Sequence, residues 1–273
     1  MVLERKGVKV DVRPVSSLMP HEETIPAHVE RIASQIEREG IQRDPIIFDA
    51  ETQTVLDGMH RLAAFARLGL EYVVCCPVDY SSKMLDLNRW ARVYTPHDSK
   101  EMNKALFDAG ISKRNTLLEA FTALNERRGG LAAISSRDVL MPAAPTDLDG
   151  AFAMMRALDE IALKSGWKEE FVPEEDVDVA IQEERRVVVL VQRLGKDDVV
   201  KAARNKKLFP HKTSMHAVDP RPVAVDVPIE KLKSKAGAQL AEQLRLPEGK
   251  MLPPGSVYQG RRYKERLLLL NCS

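Results

Sequence analysis

Asp57-Gly58-Met59-His60-Arg61 decides how this sequence is read, because it stands where an apolar strand gives way to a helix. Before it, Asp44-Pro45 opens a strand through Ile46-Ile47-Phe48, residues 49–53 turn the chain, and Thr54-Val55-Leu56 returns. Short apolar runs bounded by Asp, Pro and turn residues read as strands. After it, residues 62–68 are rich in helix formers and stop at Gly69, and residues 72–78 form another apolar strand. Upstream, residues 8–15 alternate apolar and polar side chains, the pattern of a half-buried strand. A loop over residues 16–23 carries Pro20-His21-Glu22. Residues 26–39 then place Val29, Ile32, Ala33 and Ile36 on one helical face, with Gly40 as the stop. The resulting β-α-β-β-α-β order mixes hairpins with helices and lacks the long β-α alternation of a dinucleotide-binding sheet. It predicts a compact α/β domain closing near residues 80–95.

The remainder has a different rhythm. Helices are expected over 99–109 and 115–127, the latter broken by Gly129-Gly130, and over 147–165 with a stripe of Phe152, Met155, Leu158, Ile161 and Ala162. Met141-Pro142-Ala143-Ala144-Pro145 reads as a loop. Residues 186–191 read as a buried strand, 196–206 as a short helix and 223–229 as strand-like. The fold class expected is α/β (α+β), with a compact domain over residues 1–95 and a mixed, helix-rich domain over 96–273.

Composition narrows the function. Lys plus Arg is 41 and Asp plus Glu is 40, so no chain-wide positive field favours nucleic acid or an anionic membrane. No uninterrupted apolar stretch is long enough to span a bilayer, and the start of the chain lacks an apolar signal core, so the cytoplasm is the default compartment. Of three cysteines, Cys75 and Cys76 are adjacent in an apolar strand and Cys272 is next to the C-terminus. That spacing matches neither a zinc site nor a disulfide framework; adjacent strand cysteines point to opposite faces and read as small core residues. His21, His28 and His97 are not spaced as a metal set, so no protein-held metal is expected.

The Asp57–Arg61 run suits a phosphate. A glycine permits a tight turn, and the backbone N–H groups of a new helix face an anion with the helix dipole behind them. His60 and Arg61 add donors at the same end, Arg61 with a planar fork. The alternative is a plain turn in which Asp57 caps the helix and Arg61 lies on the surface. A second polar run, Lys212-Thr213-Ser214-Met215-His216, is either an anion and hydroxyl site or an exposed loop.

Taken in order, Pro20-His21-Glu22, the helix to Gly40, the Asp44-Pro45 strand and Asp57-Gly58-Met59-His60-Arg61 resemble the ParB/sulfiredoxin-like domain. The D-G-x-H-R form resembles the free serine kinases of that superfamily. Asp79-Tyr80 followed by Trp90, the Leu158-Asp159-Glu160 helix and the run from Pro210 to His216 have counterparts there as well. The resemblance implies phosphoryl transfer from ADP or ATP to a small alcohol, free L-serine in the first place, with Mg2+ carried mainly by the nucleotide phosphates. It implies Glu22 as general base, where the residues alone allow a solvent-facing loop acid. Asp57 would orient the substrate hydroxyl or polarise His60. Gly58, Met59, His60, Arg61 and Lys212 would hold nucleotide phosphate. Trp90, Thr213, Ser214 and His216 would bind the substrate, Trp90 being alternatively a packing anchor.

One departure stands out: the family's Arg in the late run is Met215 here, so either Lys212 supplies the cation or the acceptor is a less acidic alcohol. Competing readings are a ParB-like nucleotide- or DNA-binding regulator and a sensor without turnover. A sulfiredoxin-like reductase needs a thiol at the phosphate turn, where this chain has Met59. The sequence is silent on oligomeric state.

Overall fold

The computed structural model describes residues 3–82, 85–233, 239, 240, 242, 244 and 248–271; Cys272 lies outside them. Spatial neighbours divide the chain into two compact units. One comprises Met1–Asp86, Lys196–His211 and His216–Ser273, and the other Leu87–Gly195 and Lys212–Met215. The sequence divides linearly at residue 95, whereas here the chain returns to its first unit after residue 195.

The first unit is built on a five-stranded sheet in the order Leu3–Arg5, Val8–Pro14, Tyr72–Val78, Ile46–Asp49, Val55–Asp57. Ile46 lies beside Cys75 in a parallel pair, and Val12 beside Val74 in an antiparallel one. The central strand Tyr72–Val78 is therefore covered on both faces. On one face Cys75 joins Ile46, Phe48, Leu62, Phe65, Val29 and Ile36; on the other Cys76 joins Val10, Val12, Val227, Leu232 and Leu268. The adjacent cysteines thus enter opposite cores, as the strand's period of two requires.

The helix Pro26–Glu39 begins with proline, whose missing N–H costs nothing in a first turn. It ends at Gly40, whose φ of 68° closes the last turn through a 2.8 Å bond to the Ile36 carbonyl. Val29, Ala33 and Ile36 are its buried face. The second helix, Met59–Arg67, starts three residues earlier than the apolar pattern indicates, because its first turn is the polar Met59-His60-Arg61.

The second unit is mixed: the helices Ser99–Asp108, Leu117–Asn125, Leu148–Ser165 and Val177–Ala180 accompany an antiparallel sheet that the sequence pattern does not indicate. Its strands run Lys168–Pro173, Leu85–Thr95, Val187–Val191, Leu131–Ile134, Val139–Pro142, Ile111–Arg114, and the pairs along this path are antiparallel. Helices Ser99–Asp108, Leu117–Asn125 and Leu148–Ser165 fall within the expected spans, as does Lys196–Asn205 in the first unit. Met141 and Pro142 belong to a strand, not to a loop. The strand Leu85–Thr95 escapes a periodicity reading because it buries Arg89 and Arg92, which look like surface residues in sequence. Arg89 is held by Glu174 at 2.5 Å and the Val191 carbonyl at 2.5 Å, and Arg92 by Asp159 at 3.0 Å. Buried charge is tolerated where it is paired and hydrogen-bonded in this way.

The strand-like stretch 223–229 is also divided. Arg221–Val223 pairs with Leu267–Leu269, Ala224 and Asp226 take φ of 53° and 47°, and Val227–Pro228 pairs with Ile41–Gln42. Two residues with positive φ interrupt a strand whatever its hydrophobicity. No helix among the described residues is long and apolar enough to cross a membrane.

Candidate functional site

In the first unit, Gly58 is the N-cap of Met59–Arg67 with φ of 99°. A Cβ there would lie 2.7 Å from Ile46 Cδ1 and 3.0 Å from Arg61 Nη2. Both the backbone angle and the space therefore select glycine. Asp57 precedes that cap and is tied to two arginines. Its Oδ2 accepts from Arg61 Nη2 at 2.8 Å and from Arg221 Nη1 at 3.2 Å. Arg61 is consequently half-buried in an acidic setting, with Asp44 at 4.0 Å on its other side.

His60 is oriented by the neighbouring helix. The Ile25 N–H donates to His60 Nε2 at 3.1 Å, so the neutral ring carries its proton on Nδ1. The His28 ring stands edge-on at 5.2 Å.

Glu22 is buried, at 5% exposure, rather than facing solvent. Its backbone forms a parallel bridge with Phe209; Glu23 N–H donates to the Phe209 carbonyl at 2.8 Å and Phe209 N–H to the His21 carbonyl at 2.9 Å. The Pro20-His21-Glu22 loop is thus stitched to the segment that follows Lys196–Asn205. His21, wholly buried, donates from Nδ1 to the Val55 carbonyl at 2.6 Å, and its Nε2 lies 3.8 Å from Glu22 Oε1. Burial lowers the His21 pKa against the opposing pull of Glu22, so the ring is neutral at pH 7.

His216 completes this group. Its ring is 5.4 Å from that of His21, its Nε2 shares a hydrogen bond of 2.8 Å with the Tyr80 hydroxyl, and its carbonyl accepts from Arg221 Nη2 at 2.7 Å. Burial first, then His21, depresses its pKa well below the ordinary histidine range, while burial raises that of Tyr80. The first unit therefore brings together Glu22, Asp57, Gly58, Met59, His60, Arg61 and His216.

The second unit holds the other expected residues. The Lys212 ammonium sits 4.8 Å from the centre of the Trp90 ring, a cation–π distance. Trp90 N–H donates to the Thr213 carbonyl at 3.2 Å. Thr213 and Ser214 are buried, which removes the exposed-loop alternative for them; Met215 is half-buried. Asp159, on Leu148–Ser165, accepts from Arg92 and from the Tyr94 hydroxyl, and Glu169 lies 3.8 Å from Arg92.

Sequence reasoning missed Arg221, Glu265 and the packing role of His21. His21 was legible in principle, since it lies inside the Pro20-His21-Glu22 run. Arg221 offered no signal, because its carboxylate partners are 164 and 44 residues away in the chain.

No family model matches the chain. Over 244 residues it is 25% identical to an ATP-dependent L-serine kinase of Staphylothermus marinus, covering 85% of this chain and 94% of that protein. Over 82 residues it is 34% identical to a ParB-like protein of Sulfolobus acidocaldarius, covering 30% of this chain and 41% of that protein. Among solved structures, free serine kinase in complex with AMP superposes with a TM-score of 0.71 at 19% identity, covering 84% of this chain and 96% of the other. A mutant of it in complex with ADP gives 0.71 at 18% identity with the same coverage. C-terminally truncated SbnI from Staphylococcus aureus gives 0.67 at 14% identity, covering 86% of this chain and 96% of the other. The chain is a homologue of the ATP-dependent L-serine kinase and has the fold of the free serine kinases.

Proposed function

We propose that this protein is an L-serine kinase using ATP, taken up as its magnesium complex with the metal held by phosphate oxygens and water. The serine hydroxyl oxygen attacks the γ-phosphorus, the bond from that phosphorus to the β–γ bridging oxygen breaks, and ADP leaves. The hydroxyl proton passes to Glu22. The observation that carries the reading is Glu22 itself: a buried carboxylate on a loop fixed by backbone bonds, in the same unit as a glycine-opened helix start. A fixed base suits in-line phosphoryl transfer, where positioning and electrostatics supply most of the catalysis.

In this reading the backbone N–H groups of Gly58, Met59 and His60 take phosphate oxygens at the start of the helix. Arg61 is already committed to Asp57, so it acts by setting the charge of that carboxylate's surroundings as much as by direct contact. In the second unit, Lys212 contributes a positive charge held over Trp90. Reduced, buried Cys75 and Cys76 fit a reducing compartment such as the cytoplasm. The test is phosphorus NMR on purified protein incubated with ATP or ADP and a panel of hydroxy amino acids and polyols. O-Phosphoserine formed with ATP is the expected result; transfer to none of the panel would overturn the assignment in favour of nucleotide binding without turnover.

A further inference from the structure

We propose that Arg221 is a positioning residue that holds the two functional segments of the first unit in register, the Asp57 turn and the His216 strand. The proposal rests on the kinase reading for its activity arm. Arg221 begins the short strand Arg221–Val223 and is 5% exposed. Its guanidinium makes a separate bond from each nitrogen. Nη1 donates to Asp57 Oδ2 at 3.2 Å, Nη2 to the His216 carbonyl at 2.7 Å and Nε to Glu265 Oε1 at 2.5 Å. The Tyr263 ring lies 5.8 Å from its central carbon.

Three features separate this from an ordinary buried ion pair. First, a buried cation is costly to desolvate, and one carboxylate would neutralise it; here two do, one from the candidate site and one from the chain's last described strand region. Burial works against the charge, but Asp57 and Glu265 outweigh it and raise the Arg221 pKa above its ordinary value. Second, both Arg61 and Arg221 bond the same oxygen of Asp57, so the position of that oxygen is held from two directions. Third, the bond to His216 goes to its backbone, which leaves the ring to Tyr80 while fixing where the ring starts from. A planar fork with fixed angles can set three partners at once; the single ammonium point of lysine cannot. Arg221 is anchored from outside by Glu265, itself adjacent to Arg266, whose N–H donates to Asp219 at 3.1 Å.

The experiment uses the full chain with Arg221→Met, Arg221→Lys and Glu265→Gln. Backbone amide exchange is read by mass spectrometry, beside steady-state kinetics with ATP and serine. For Arg221→Met, exchange should rise in residues 55–61 and 216–218 and stay unchanged in the helix Pro26–Glu39. kcat should fall by at least about tenfold with little change in KM for ATP, the scale of misplacement by a group away from the chemistry. Added methylguanidinium should restore part of that loss, and Arg221→Lys should not match wild type. Unchanged exchange in both segments overturns the proposal whether or not the protein proves to be a kinase. So does a folded Arg221→Met variant with kcat within about twofold of wild type, a difference below 0.5 kcal/mol. If Arg221→Met does not fold, Glu265→Gln decides, since it removes only the charge of the outer anchor. The same segments should then exchange faster, and identical protection in that variant also overturns the proposal. Absence of phosphotransfer in wild type refutes the kinase reading alone and leaves the exchange result to judge Arg221.

Discussion

Replacing Gly58 by alanine tests the turn on which the candidate site is built. The backbone there has φ of 99°, outside the usual range for a residue with a Cβ, and non-glycine residues lose about 1–2 kcal/mol in left-handed conformations. The new methyl would also meet Ile46 Cδ1 at 2.7 Å and Arg61 Nη2 at 3.0 Å. Ile46 is fully buried in the sheet and cannot retreat freely, so the overpacking adds about 1–3 kcal/mol. Together these give a loss of about 2–5 kcal/mol against total stabilities of about 5–15 kcal/mol for typical domains. Urea denaturation of Gly58→Ala, Ile46→Val and the double variant separates the two terms. Ile46→Val alone should cost about 0.5–1.5 kcal/mol, yet it removes the methyl that clashes. The double variant should therefore be more stable than the sum of the single losses by about 1 kcal/mol, the size of coupling expected for residues in contact. The backbone term should remain, and ATP affinity should stay reduced even in the double variant. A Gly58→Ala protein within about 0.5 kcal/mol of wild type, with normal ATP affinity, would refute the reasoning.

Three further outcomes are expected. Glu22→Gln should lower kcat by at least about a hundredfold with ATP affinity unchanged, since general-base contributions are roughly 10²–10⁴-fold; equal turnover would remove Glu22 from the mechanism. Met215→Arg should lower KM for serine by roughly tenfold or more and leave uncharged polyols unaffected, if a guanidinium there reaches the substrate carboxylate with a charge-assisted bond of about 1.5–3 kcal/mol. No change for serine would show that residue 215 does not face it. Burial first, then Asp159, raises the Glu169 pKa to about 7, against the pull of Arg92. Between the ordinary carboxylate range and pH 7 the folded protein holds this proton and the unfolded chain does not, so stability present in acid is lost as pH rises. The Tm of Glu169→Gln relative to wild type should therefore climb between pH 5 and pH 8; a constant difference would contradict it.

What the sequence made legible follows from which interactions are local. The alternation in Val8–Pro14, the apolar face of Pro26–Glu39 and the glycine at Gly58 all act within one element, and each is found where the pattern puts it. The strands of the second unit are not local in this sense. Leu85–Thr95 reads as polar because Arg89 and Arg92 are neutralised by Glu174 and Asp159, residues on elements far along the chain. Lys168–Pro173 opens with Lys168, Glu169 and Glu170, and only its pairing with the preceding strand makes it β. At the candidate site the same distinction holds. Glu22 and the Asp57–Arg61 run were visible as short motifs, but the burial of Glu22 depends on Phe209, and the fate of Asp57 depends on Arg221.

The two cores flanking the strand Tyr72–Val78 also impose an order on biosynthesis. The face bearing Cys75 can close as soon as the first 75 or so residues have emerged, since the helices Pro26–Glu39 and Met59–Arg67 supply most of its cover. The face bearing Val10, Val12, Val74 and Cys76 has to wait for Val225, Val227, Leu232, Leu268 and Leu270, which follow much later in the chain. Until then a nascent chain displays a sheet with one greasy side bare, and the whole of Leu87–Gly195 is synthesised during that interval. A chain cut near residue 95 would be frozen in that half-covered state, a sticky fragment rather than a free-standing nucleotide-binding domain.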